Sequence, residues 1–240
     1  MRHLLLGILV FCTVSTMAQT RYQLRQRAWS AGIVFGTTNY SGDLAAKNVQ
    51  VSETHLGYGA FARYFFSTRF AMKVQLLAGA ISGDDAHAKD PDVKMRSFRF
   101  GADILELAAI GEWYPLGLYR YSDVGVHRFF VAPYLYLGFG AAFTGSKVEY
   151  YGALADFDRV TATPLPEFAE RQRFILAPAG LGVRTRLNET IVLGLEAGAR
   201  PVFSDKLDGV SLNGNPKKKD WYYFGGASVS FALSRAYKRI

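Results

Sequence analysis

The side chains able to do chemistry are few in this chain, and their spacing argues against a catalytic centre. His55, His87 and His127 fall in three different connections or strand rims, and no Ser–His arrangement suited to acyl transfer is apparent. That weighs against a lipid-modifying barrel enzyme such as an acyltransferase or deacylase. The single cysteine, Cys12, lies in an N-terminal apolar run; without that run, disulfides, thiol catalysis and Cys-ligated metals all disappear. Asp84, Asp85, His87, Asp90 and Asp92 form an acidic loop with oxygen ligands for Ca²⁺, but they lack the twelve-residue ligand pattern. The expected reading is a solvated loop, with no metal and no cofactor. What remains is a set of charged and amide residues placed inside apolar stretches: Arg63, Lys73, Gln75, Arg184, Arg186, Glu196 and Arg200. Such residues pair with one another when buried, which is structural chemistry.

The elements that position these residues are strands. Trp29, Ala31, Ile33 and Phe35 alternate with Ser30, Gly32, Val34 and Gly36; Leu193, Leu195, Ala197 and Ala199 alternate with Gly194, Glu196, Gly198 and Arg200. A period of two sends the two sets to opposite faces of a strand. In a soluble sandwich the polar face meets water outside; in a membrane barrel it faces inward and the apolar face meets lipid. Eight strands are expected, near 27–39, 55–66, 70–82, 96–113, 128–143, 174–187, 191–202 and 221–234. Each is long enough for a tilted crossing of roughly 9–11 residues. The apolar rows Leu56, Tyr58, Ala60, Ala62, Tyr64, then Phe70, Met72, Val74, Leu76, Ala78, and Val229, Phe231, Leu233 are assigned to lipid. In the fourth strand Glu106 and Glu112 share a register with Ile104 and Ile110, so a bulge or a misassigned register is expected there. A barrel of eight strands is filled by its own side chains, so the charges are expected to form an ion-paired plug, the alternative being a conducting or substrate-binding lumen.

The connections alternate. Ser67-Thr68-Arg69 and Asn188-Glu189-Thr190 are tight and Tyr114–His127 is intermediate, whereas Tyr40–Thr54, Gly83–Met95, Thr144–Arg173 and Phe203–Asp220 are long. Short turns on one side and long loops on the other predict an all-β, eight-stranded, antiparallel up-and-down transmembrane barrel of the outer-membrane type, turns in the periplasm and loops outside. Residues 1–18 read as a signal peptide: Arg2 and His3, an apolar core Leu4–Val14, and Thr16-Met17-Ala18 before Gln19. Residues 19–240 then form one barrel domain in the outer membrane of a Gram-negative bacterium. Aromatics at 15% and 24 glycines suit a tight barrel. The formal charge of +8 comes without a basic arm or nucleic-acid motif, so nucleic acid is discounted as a partner. The expected periplasmic side is instead basic: Arg21, Arg25, Arg27, Arg69, Arg120, Arg128, Arg235, Lys238 and Arg239 stand against Asp123 and Glu189. That rim could dock an acidic or polar partner, or meet anionic lipid.

Several ordered segments resemble a known family. They are Gly36-Thr37-Thr38-Asn39-Tyr40-Ser41-Gly42-Asp43-Leu44, Arg63-Tyr64-Phe65-Phe66-Ser67, Ser82-Gly83-Asp84-Asp85, Arg200-Pro201-Val202-Phe203-Ser204-Asp205-Lys206-Leu207-Asp208, and Asp220-Trp221-Tyr222. Their order and spacing are similar to the PorG-like outer-membrane barrels of Bacteroidota, a component family of the type IX secretion system. The resemblance implies a non-enzymatic barrel that anchors or contacts the periplasmic ring of the PorK lipoprotein and PorN. The basic rim residues would then be partner-binding. The alternative is a small structural or adhesive barrel acting through its outer loops, and a soluble lipocalin-like carrier is the third class. The motifs also have physical readings of their own. Asn39, Tyr40, Gly42 and Asp43 read as turn chemistry, and Arg200 with Asp205 and Asp208 as a pairing that fixes the last loop at the extracellular rim.

Overall fold

The structure is a computed structural model that describes residues 29–41, 51–87, 94, 97–118, 121–122, 125–126, 131–152, 172–188, 190–204, 207 and 220–233. The expected signal peptide lies outside these residues. The wall is built from β1 (Trp29–Ser41), β2 (Thr54–Phe65), β3 (Phe70–Asp84), β4 (Phe98–Trp113), β5 (Val131–Tyr150), β6 (Gln172–Leu176), β7 (Ala179–Arg186), β8 (Ile191–Pro201) and β9 (Trp221–Ala232). Every pairing is antiparallel. The first and last strands join from Ser30↔Ala232 to Ser41↔Trp221, which closes the ring and leaves no open edge there.

β6 and β7 follow one another along β5, pairing at Gly140–Thr144 and Val131–Leu137 respectively. They make one stave, so the ring has eight. The expected sixth strand is therefore interrupted, and Pro178 is the cause: it has no N–H for the ladder. Its carbonyl still accepts from the Gly138 N–H at 2.7 Å, and the Ala177 N–H donates to the Pro201 carbonyl at 3.1 Å.

Alternation sets the faces. Trp29, Ile33, Phe35, Leu56, Tyr58, Met72, Val74, Leu76, Leu137 and Leu195 point outward, Leu137 67% exposed and Ile33 64%. Large aliphatic side chains left this bare all round a closed sheet form a lipid-facing belt, not a water-facing surface. Aromatic residues collect at its lower margin, where Trp29 and Tyr64 lie 4.9 Å apart and Tyr64 and Phe66 5.0 Å apart. The fold is thus an eight-stranded antiparallel barrel of the outer-membrane type.

Tight turns share one end. Ser67 Oγ accepts from the N–H groups of Arg69 and Phe70 at 3.2 and 3.1 Å, and Asn188 Oδ1 from those of Thr190 and Ile191 at 2.8 and 2.7 Å. Both side chains satisfy turn donors that the ladder leaves free. Leu118 N–H donates to the Thr68 carbonyl at 3.0 Å, binding the β4–β5 connection to the β2–β3 turn; Gly117 takes the positive φ of 72° that this bend needs.

Two expectations about strands are corrected. β4 has no bulge: Phe98, Phe100, Ala102, Ile104, Glu106, Ala108, Ile110 and Glu112 form one unbroken inner row. Acids and isoleucines share it because the interior is a mixture of charge and hydrocarbon. β5 runs on to Tyr150, past the expected end at residue 143. Its inner row continues through Thr144, Val148 and Tyr150, while the outer row turns polar at Lys147 and Glu149. The β4–β5 hairpin therefore stands above the belt.

Candidate functional site

The interior is layered. At the tight-turn end Phe65, Ala71, Ala108, Ile110, Tyr114, Ala132, Tyr134 and Tyr136 pack together, and at the other end Tyr40, Ile81, Phe98, Phe100, Leu176, Val202, Leu207 and Tyr222 do the same. On the inner faces of β7 and β8, Gly180, Gly182 and Gly198 leave the space that the Tyr134 and Tyr136 rings need. A Cβ at Gly182 would strike Tyr134, and one at Gly180 or Gly198 would strike Tyr136.

Charges fill the space between the apolar layers. Arg63 Nη2 donates to Glu112 Oε1 at 2.9 Å, and its Nε lies 2.7 Å from Oε2. Lys73 Nζ donates to Glu196 Oε2 at 2.8 Å and stands 3.8 Å from Glu112 Oε1. Tyr114 Oη donates to Glu112 Oε2 at 2.6 Å and Tyr134 Oη to Glu196 Oε2 at 3.1 Å. Arg184 Nη1 donates to Tyr114 Oη at 3.2 Å, with its guanidinium 5.0 Å from the Phe65 ring centre. Arg200 Nε donates to Glu106 Oε2 at 2.8 Å, and Tyr222 Oη donates to the same oxygen. Gln75 is buried on the same inner face.

These bonds cross the lumen. β3 and β8 are diametrically opposite in the ring, as are β4 and β9, so Lys73–Glu196 and Glu106–Tyr222 tie opposite walls together. Arg63, Lys73, Glu106, Glu112 and Arg200 are each at most 2% exposed. The expected ion-paired plug is present, and its two acids on β4 were visible in the sequence only as a disturbance of register. Their signal was parity: both lie on the face that carries the cations of β2 and β3. Arg186, expected inside, is exposed at the end of β7, where the wall stops.

Arg200 corrects a second expectation. It is buried against Glu106 instead of standing at the outer rim with Asp205 and Asp208, which lie outside the described residues. Its even position on β8 turns it inward with Glu196. Asn39 and Tyr40 belong to β1, not to a turn; they pair with Tyr223 and Tyr222, and Tyr40 Oη donates to Asp220 Oδ1 at 2.7 Å. Gly42 and Asp43 lie outside the described residues.

Above the belt the acidic loop is built, not simply solvated. Asp84 accepts from the Ala86 N–H at 2.9 Å, Arg99 Nε at 2.7 Å and Tyr151 Oη at 3.0 Å. Burial pushes its carboxyl up, but these donors outweigh that and hold it below the ordinary aspartate range. Asp85 Oδ2 accepts from the Phe98 N–H at 3.2 Å. Glu53 contacts His87 Nδ1 at 2.8 Å, and burial raises the glutamate against the lowering effect of that histidine. Asp90 and Asp92 lie outside the described residues, and among the described ones no group of three His, Cys, Asp or Glu could hold a metal. A Ser–His contact that the sequence did not reveal joins His55 Nε2 to Ser82 Oγ at 2.7 Å. Among the described residues no carboxylate is hydrogen-bonded to His55.

The expected partner-binding residues Arg21, Arg25, Arg27, Arg120, Arg128, Arg235, Lys238 and Arg239 all lie outside the described residues. Arg69 is described and is exposed in the tight turn.

Among solved structures the chain is similar to Ail, the attachment invasion locus protein of Yersinia pestis, in complex with the heparin analogue sucrose octasulfate. That likeness has a TM-score of 0.42 at 14% identity, covering 85% of this chain and 97% of that one. The outer membrane protein OprG from Pseudomonas aeruginosa has a TM-score of 0.40 at 14% identity over 87% of this chain and 98% of its own. Neisserial surface protein A has a TM-score of 0.39 at 13% identity over 85% and 97%. No curated protein matches. Residues 2–237 match the domain of unknown function DUF6089, nearly the whole chain. By that match the protein belongs to the DUF6089 family.

Proposed function

We propose that this is a non-enzymatic outer-membrane barrel of a Gram-negative bacterium that serves the type IX secretion system by anchoring or contacting the periplasmic ring of PorK and PorN. One observation carries the reading that its work lies at its rims: the lumen is closed by ion pairs between opposite staves. A barrel sealed this way offers neither a conduit nor a substrate chamber, and its wall is committed to lipid. The assignment to secretion rests on the ordered segments that resemble the PorG-like barrels. We assign the ring-facing rim to the tight-turn end because the segments expected on that side carry Arg21, Arg25, Arg27, Arg69, Arg120, Arg128, Arg235, Lys238 and Arg239 against only Asp123 and Glu189.

The test is capture of native partners in mild detergent, with mass spectrometry of what co-purifies. PorK and PorN are expected with the wild type. Replacing Arg235, Lys238 and Arg239 together by Glu should leave assembly intact and weaken that capture, since single exposed pairs are worth only about 0–1 kcal/mol and act here as a sum. Undiminished capture and secretion would eliminate docking through the tail. The β4–β5 hairpin standing above the belt favours a second reading, a structural or adhesive barrel acting through its outer loops. Loss of secretion without loss of surface adhesion would separate the two.

A further inference from the structure

The outer wall has a groove of about 530 Å³ at the tight-turn end, inside the lipid belt. Two outward rungs build it across β3, β4 and β5: Phe70–Trp113–Leu135 and, next to it, Met72–Gly111–Leu137. The middle of the second rung has no side chain. A Cβ built at Gly111 would meet only the Leu137 carbonyl oxygen, at an ordinary 3.6 Å, so the space belongs to the outside and not to the wall. The next rung, Val74–Ala109–Phe139, again has its smallest member on β4. A trough therefore follows β4 from Gly111 down to Trp113, walled by Met72 and Leu137, with Phe66 at its foot.

A cationic residue stands in the turn beside that foot. Arg69 precedes Phe70 in the turn, is exposed, and has its carbonyl held by the Tyr114 N–H at 2.8 Å. Its own turn, residues 66–69, contains no acid. An apolar trough of this shape, ending in a cation at the belt margin, complements a chain of hydrocarbon ending in a phosphate.

We propose that this groove binds one glycerophospholipid of the periplasmic leaflet, its acyl chain over Gly111 and its phosphate at Arg69. The leaflet rests on the reading that the tight turns face the periplasm; the secretion role is not involved. The lipid would fill the depression that the wall leaves beside the turn, and would fix the barrel's height and rotation at the rim where partners approach.

Full-length protein purified from outer membranes in mild detergent is analysed by native mass spectrometry, first as isolated and then, after delipidation, titrated with a phosphatidylglycerol and separately with the matching diacylglycerol. The wild type is expected to retain one glycerophospholipid and to prefer phosphatidylglycerol. Gly111→Leu should bind both probes much more weakly, and Gly111→Ala should fall between. Arg69→Gln should bind phosphatidylglycerol about fivefold more weakly and diacylglycerol unchanged, the loss expected for one interfacial cation. Heat-modifiable gel mobility shows that each variant is folded. Equal retention by the wild type and Gly111→Leu would overturn the site. Retention of lipid A in place of a glycerophospholipid would overturn the leaflet, and a second barrel in the groove, seen as a dimer lost in Gly111→Leu, would overturn the occupant.

Discussion

Glu106 shows how a single buried charge holds this molecule together. It accepts from Arg200 and from Tyr222, three strands and four strands away around the ring, in a site closed to water. Glu106→Gln should leave the guanidinium charge uncompensated and cost on the order of 3–5 kcal/mol, as breaking one half of a buried pair does. Arg200→Met should cost a similar amount by stranding the carboxylate. The double variant should recover much of either loss, because the two sites share one interaction. Denaturant unfolding in detergent measures all three; strictly additive losses would contradict the pairing. The cations of the plug were legible in the sequence because the period of two assigns each a face. Their partners were not. Arg200 has Asp205 and Asp208 near it in the chain, but its inward parity decides the matter in favour of Glu106, ninety-four residues away. Contacts across the lumen depend on the stagger of the closed sheet, which local spacing does not encode.

At the scale of the strands, the sequence located the staves wherever both faces had contrasting chemistry. β8 is the clearest: Leu193, Leu195 and Ala197 face out while Glu196 and Arg200 face in. Leu195 is 59% exposed in the middle of the belt. Leu195→Arg is expected to cost about 2–4 kcal/mol and to lower the amount of assembled barrel, whereas Leu195→Phe should be mild. Folded yield in the outer membrane checks this, and equal tolerance of both would place Leu195 outside hydrocarbon. The pattern failed where the outer face ceased to be apolar. Beyond Phe143 the outer row reads Gly145, Lys147, Glu149, which looks like a loop although the ladder with Phe98–Asp103 continues. It failed again at Pro178, where one stave becomes two segments without leaving the sheet.

For the whole molecule, the two ends differ in kind. One carries short turns stapled by Ser67 and Asn188, and the other carries the raised hairpin capped by Asp84, Arg99 and Tyr151. Between them lie the belt outside and the plug inside, so the barrel is a closed post with two rims. On the proposed reading, the function is expressed at those rims. That account depends above all on the plug being closed in the membrane. The direct measurement is conductance of the purified, folded protein reconstituted into planar bilayers in concentrated potassium chloride. The ion pairs that link opposite staves predict silence at all moderate voltages. Discrete conductance steps that persist in the wild type, and grow when Lys73 or Glu196 is replaced by Ala, would show an open path through the lumen and contradict the account.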